Sequence, residues 1–224
     1  MPFCRAFCVL AQNALRSVTG WSRFVFTEYH VVSELDSLIF KIRDGISEIA
    51  EDFYSETKDL VSFLGVYDEH DYHSVMDSFI LLEDTQLAKN EFRKADFINE
   101  SFGKLYLMFY GVLNSCYMQQ QAILVICKKL MIEQNILEIK NIKVVAYRND
   151  FSAHSPNRGR GNSEHSFILN RLALREGRVK GYTDNHETGC VFRDADVTSL
   201  ISEWDLVLER QLELIAVRVL KKKT

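Results

Sequence analysis

Residues 102–130 read FGKLYLMFYGVLNSCYMQQQAILVICKKL, and this stretch sets the fold class. Its apolar positions Phe102, Leu105, Phe109, Leu113, Cys116, Ile123, Ile126 and Leu130 step by three and four, with Gln119 or Gln120 filling the gap. That spacing lays one apolar stripe along a 3.6-residue helix. Upstream, Val32, Leu35, Ile39, Ile42, Ile46, Ile49, Phe53, Leu60 and Leu64 predict a long amphipathic helix over 32–64, weakened locally by Gly45. Gly65, Val66, Tyr67 and Asp68 mark a break. A second helical region follows over about 72–94, with Val75, Phe79, Leu82 and Leu87 as its candidates for burial. Downstream, Ile136, Ile139, Ile142, Val145 and Ala146 predict a fourth helical segment.

Beyond residue 154 the texture changes. Residues 155–162 (SPNRGRGN) are a loop by composition. Residues 167–174 and 179–182, separated by 175–178, read as a short hairpin, and 188–192 are a candidate further strand. Asp194 and Asp196 are candidate caps for a last helix with apolar positions Val197, Leu200, Ile201, Trp204, Val207, Leu208, Leu212 and Ile215. The expected architecture is a mainly α bundle. Residues 1–98 form an N-terminal helical region with the long helix as an extension. Residues 99–224 form the core, with a hairpin at about 166–192 and a C-terminal helix over 196–222.

The composition fits a globular chain: 47% of the 224 residues are hydrophobic and 26% charged, with 2 Pro and 10 Gly. A net charge of −4 and a pI of about 5.9 argue against coating nucleic acid by bulk electrostatics. They leave room for an enzyme that grips one or two phosphates with local cations. Five cysteines without a CxxC argue against a disulfide framework or zinc site and for a reducing, cytoplasmic setting. The apolar run Phe7 to Ala11 is short for a signal peptide. No apolar run approaches the roughly 18 residues of a membrane span.

The chemically pointed stretch is Val145-Ala146-Tyr147-Arg148-Asn149-Asp150-Phe151-Ser152-Ala153-His154-Ser155-Pro156. An Arg followed at once by a polar residue, with a His a few positions on and an apolar helix leading in, resembles the signature of HEPN domains. The motif spans seven residues, and the layout around it extends the resemblance over about 102–154. The resemblance implies a metal-independent endoribonuclease of the toxin or phage-defence branch, with no cofactor, RNA as substrate, and a two-fold homodimer in which motifs face each other. It also admits a cognate antitoxin or regulatory protein as partner. In such chemistry the 2′-hydroxyl of RNA is the nucleophile. His154 has the right kind of pKa to take its proton. Arg148 is a planar two-pronged donor for the charged phosphate, and Asn149 is a positioning residue.

Helix geometry adds a constraint. Six positions put Arg148 and His154 more than roughly 90° apart around a straight helix. They converge on one phosphate if the helix breaks near His154, which Pro156 favours, or if a second subunit completes the site. Asp150, four positions before His154, is a candidate to orient its ring, with a simple exposed acid as the alternative. Arg158 and Arg160 are candidate RNA contacts or solvated loop residues. A different class of function, a non-catalytic helical adaptor or regulatory module on the same fold, uses none of this chemistry. His70 and His73 lie among acids but lack a third ligand at metal spacing. Gln119, Gln120 and Gln121 can face a motif pocket, a helix seam or water.

Overall fold

In the computed structural model of the protein, the described residues are 33–52, 64–133, 136–152, 168–185 and 189–220. The chain is mainly helical, with an antiparallel hairpin before the final helix. Helix α1 is Glu34–Asp52, the described part of the long helix expected over 32–64; residues 53–63 lie outside the described set. It buries Leu35, Ile39, Ile42, Ile46 and Ile49 and packs on α2 (Glu69–Lys94) and α7 (Val197–Leu220). Gly45 lies where α1 meets the end of α7: a Cβ there would stand 2.5 Å from Leu220 Cδ2, the far end of a side chain that would have to shift.

Gly65 has φ +72°, which fits the expected break. Helix α2 starts at Glu69, a turn earlier than expected, because Asp68 Oδ1 accepts the Asp71 N–H at 2.9 Å and caps it. Its buried face runs through Val75, Phe79, Leu82, Thr85, Gln86, Lys89 and Phe92. Leu87 is 55% exposed, contrary to expectation. The three–four stepping passes through polar residues at 85, 86 and 89, which an apolar-pattern reading skips.

Helix α3, Phe102–Lys129, is capped by Ser101, whose Oγ accepts the Lys104 N–H at 3.3 Å. The expected fourth segment is two helices, α4 (Ile136–Lys140) and α5 (Lys143–Phe151). Gln120 Nε2 donates to Ile139 O at 2.7 Å and to Lys140 O at 3.5 Å, supplying partners for carbonyls at the end of α4. Ile142 is extended between the two helices.

The sheet has three antiparallel strands in the order β1 (Ile168–Leu169), β2 (Arg178–Asn185), β3 (Gly189–Asp196). Its main hairpin pairs Arg178 with Asp196 through to Asn185 with Gly189, later in the chain than expected. Residues 171–174, read as strand, form a one-turn helix α6 (Arg171–Leu174) capped by Asn170, with Ala173 and Leu174 buried. Asp196 Oδ1 accepts the Ser199 N–H at 2.7 Å and caps α7. Asp194, the other expected cap, instead receives Arg178 at 2.7 Å.

A polar seam crosses the apolar core between α2, α3 and α7. Lys89 Nζ, with a side chain 0% exposed, donates to Asp205 and, at 2.9 Å, to Gln119 Oε1. The same oxygen accepts Trp204 Nε1 at 2.8 Å, and Gln119 Nε2 donates to Gln86 Oε1 at 3.2 Å. Arg93 holds the second oxygen of Asp205. Buried polar groups survive in a core when they are paired in this way. Of the glutamine triplet, Gln119 and Gln120 therefore lie in helix seams, and Gln121 is exposed.

Candidate functional site

Helix α5 docks on α3 by burying Val144, Val145 and Phe151. The Arg-Asn motif falls in its last turn. The helix ends at Phe151, where the Ser152 N–H closes on Arg148 O at 2.8 Å. Position 154 follows three residues later in the sequence. His154, Arg158 and Arg160 themselves lie outside the described residues.

Arg148 is held from two sides. Its Nε and Nη2 donate to Asn114 Oδ1 on α3 at 3.3 and 3.0 Å, and Nη1 donates to Asn149 Oδ1 at 3.1 Å. The guanidinium lies over the Tyr117 ring, 4.3 Å from its centroid. A cation stacked on an aromatic face gains about 0.5–2 kcal/mol, and the side-chain amides fix rotation within the plane. Of the five guanidinium N–H groups, three are used here. The other two have no partner among the described residues. Arg148 is half-buried, so among the described residues its guanidinium keeps an oriented donor pair for a further acceptor.

Asn149 serves that arrangement by giving its oxygen to the guanidinium. Asp150 is buried, and its Oδ2 accepts Arg193 Nε from β3 at 3.0 Å. Tyr147 Oη donates to the backbone oxygen of Asp194, also on β3, at 3.1 Å. The hairpin is therefore fastened to the motif turn on the side away from α3.

Asn114, Tyr117 and Arg193 escaped the sequence reading. Asn114 and Tyr117 sit beside the apolar stripe of α3, where polar and aromatic residues pass as ordinary surface. Their spacing of three was the available signal, because it places them on neighbouring turns. Arg193 gave no signal, since its partner is 43 residues away in sequence. His70 and His73 are exposed in the first turns of α2, with His73 Nε2 3.6 Å from Glu69. Among the described residues no group of three His, Cys, Asp or Glu side chains converges as a metal site. No described helix is long and apolar enough to cross a membrane. Comparisons of the chain with protein-family models, curated proteins and solved structures find no match.

Proposed function

We propose that the chain is a metal-independent endoribonuclease of the HEPN kind, acting as a toxin or defence effector. Arg148 binds the scissile phosphate, Asn149 positions that guanidinium, and His154 is the general base. The observation that carries this reading is the Arg148 guanidinium, anchored by Asn114 and Tyr117 with two N–H groups that have no partner among the described residues, on a helix that ends at Phe151. A cation fixed in advance costs little reorganisation when charge builds on the phosphate oxygens. His154 takes the 2′-hydroxyl proton and the 2′-oxygen attacks phosphorus. The bond to the 5′-oxygen breaks and that oxygen is protonated, leaving a 2′,3′-cyclic phosphate and a free 5′-hydroxyl. A homodimer facing motif to motif, and a cognate antitoxin, belong to the same proposal.

Expression in a bacterial host, with Arg148→Ala and His154→Ala as separate variants, tests it. The expected result is growth arrest by the parent chain and by neither variant. Cleaved RNA ends should carry cyclic phosphate, with cleavage by purified protein persisting in EDTA. Undisturbed growth with no RNA cut, and a protein partner recovered instead, would replace the enzyme with an adaptor.

A further inference from the structure

We infer that the flank of α3 leading to Arg148 is a track for single-stranded nucleic acid, on which unpaired bases stack; for RNA as a cleaved substrate this rests on the proposed nuclease reading. Phe102, Tyr106, Tyr110 and Tyr117 fall within an arc of about 80° on the helix, beside Asn114. From Phe102 to Tyr117 the stripe is about 22 Å long at 1.5 Å per residue, room for a short run of extended nucleotides. The rings of Tyr106 and Tyr110 stand 5.6 Å apart, tilted by 48°; Tyr110 is 38% exposed, and Phe102, Tyr106 and Tyr117 are half-buried, packed on the core by one side.

Charge favours a polyanion as the occupant. In a chain with 31 Asp and Glu, the 28 residues of α3 contain none; of its lysines, Lys104 pairs with Glu100 and Lys129 with Asp71, so the positive charge offered to the stripe is that of the arginines. Arginines stand at both ends of the stripe. Arg175 and Arg171 lie over the Phe102 ring at 4.7 and 5.8 Å, and Arg148 lies over Tyr117 at the other end. Aromatic rings flanked at both ends by guanidinium planes match what single-stranded nucleic acid needs, with faces for bases and cations for the backbone. Duplex offers no unstacked base to such a stripe.

The test uses the full chain and a fluorescent 12-nucleotide 2′-O-methyl RNA, which cannot be cut through its 2′-oxygen, read by anisotropy. The single strand is expected to bind at least about tenfold more tightly than a duplex of the same sequence. Tyr106→Leu and Tyr110→Leu should each weaken binding about tenfold, and Tyr110→Phe should restore it. Three arginines contacting phosphates give a slope of about −2 in log affinity against log salt. Circular dichroism confirms that each variant is folded. Equal affinity for duplex, leucine variants that bind like the parent, or no binding overturns the track. So does a chain dimer, seen by sedimentation and dissolved by Leu107→Glu beside the stripe, that the oligonucleotide cannot displace. Single-strand binding without cleavage of unmodified RNA would sink the nuclease and leave the track standing. Cleavage with an unchanged KM after both leucine substitutions would do the reverse.

Discussion

Replacing Asp205 with Asn tests how the buried seam carries its charge. Lys89 has a side chain 0% exposed, against 20% for Asp205. Burial pushes its pKa below the usual 10.5, while the Asp205 carboxylate opposes that shift. Without the carboxylate the ammonium keeps a neutral acceptor, Gln119, and Arg93 as a like charge nearby. The penalty has a ceiling because Lys89 can enter the fold neutral. Giving up a proton at pH 7 from a group with pKa 10.5 costs about 4.8 kcal/mol, at about 1.36 kcal/mol per pH unit. Removing one partner of a buried pair costs about 3–5 kcal/mol in general, so the two estimates agree. The pH dependence has a definite sign. The unfolded chain holds the lysine proton up to its usual pKa, whereas burial without the carboxylate favours its release in the folded variant. The unfolded state therefore binds more protons, and stability rises with pH. The ceiling on the deficit falls to about 2 kcal/mol at pH 9. Lys89→Met removes the buried charge and leaves Asp205 paired with Arg93, so it should cost no more than about 1 kcal/mol. Adding it to Asp205→Asn should recover most of the loss. Urea unfolding at both pH values, with the slope m compared across variants, gives these differences. An Asp205→Asn protein within about 0.5 kcal/mol of the parent at pH 7, or a deficit that does not change with pH, would refute the account.

Asn114→Leu removes the acceptor that holds two nitrogens of Arg148 but keeps the side-chain volume. RNA cleavage should fall by about a hundredfold through misplacement of the guanidinium, with thermal stability little changed. A cleavage rate equal to the parent's would show that Arg148 is placed by other means. In a Cys4→Ser/Cys8→Ser background, a thiol reagent at pH 8 should modify Cys190, which is exposed, at once. Cys116 and Cys127 should react after unfolding, because burial raises their thiols to about 12 and about 11. Two or more fast thiols in the native protein would contradict that burial.

The helices were legible because apolar spacing reports the face that packs. Phe102 through Leu130 and Val197 through Ile215 gave both their type and their buried side. Legibility failed where polar residues took core positions. Lys89 and Gln86 hid the true face of α2 and made Leu87 look buried. Gln120 split a segment whose isoleucines read as continuous. Ala173 and Leu174 resembled strand by composition, yet the Asn170 cap turned the chain into a helix there. At the motif, the helix-end position of Arg148 followed from local sequence. Its partner Asn114, 34 residues earlier, could be found only once α3 and α5 were packed together.

The last turn of α5 shows why a short motif needs a large frame. A nine-residue helix is too short to hold its shape in water by itself, so its end must be fixed by neighbours. Four consecutive residues share that task. Tyr147 and Asp150 bond to β3, Arg148 bonds to α3, and Asn149 ties back to Arg148. The turn is clamped between a helix and a hairpin. Each bond alone contributes on the order of 1–3 kcal/mol, but their opposition is what fixes position. Loss of either side would let the turn move toward the other without unfolding the bundle. The hairpin, foreign to a simple helical bundle, thereby acquires a physical reason to sit where it does. It holds Asp150 and Tyr147 while Arg148 reaches Asn114 and Tyr117 on α3.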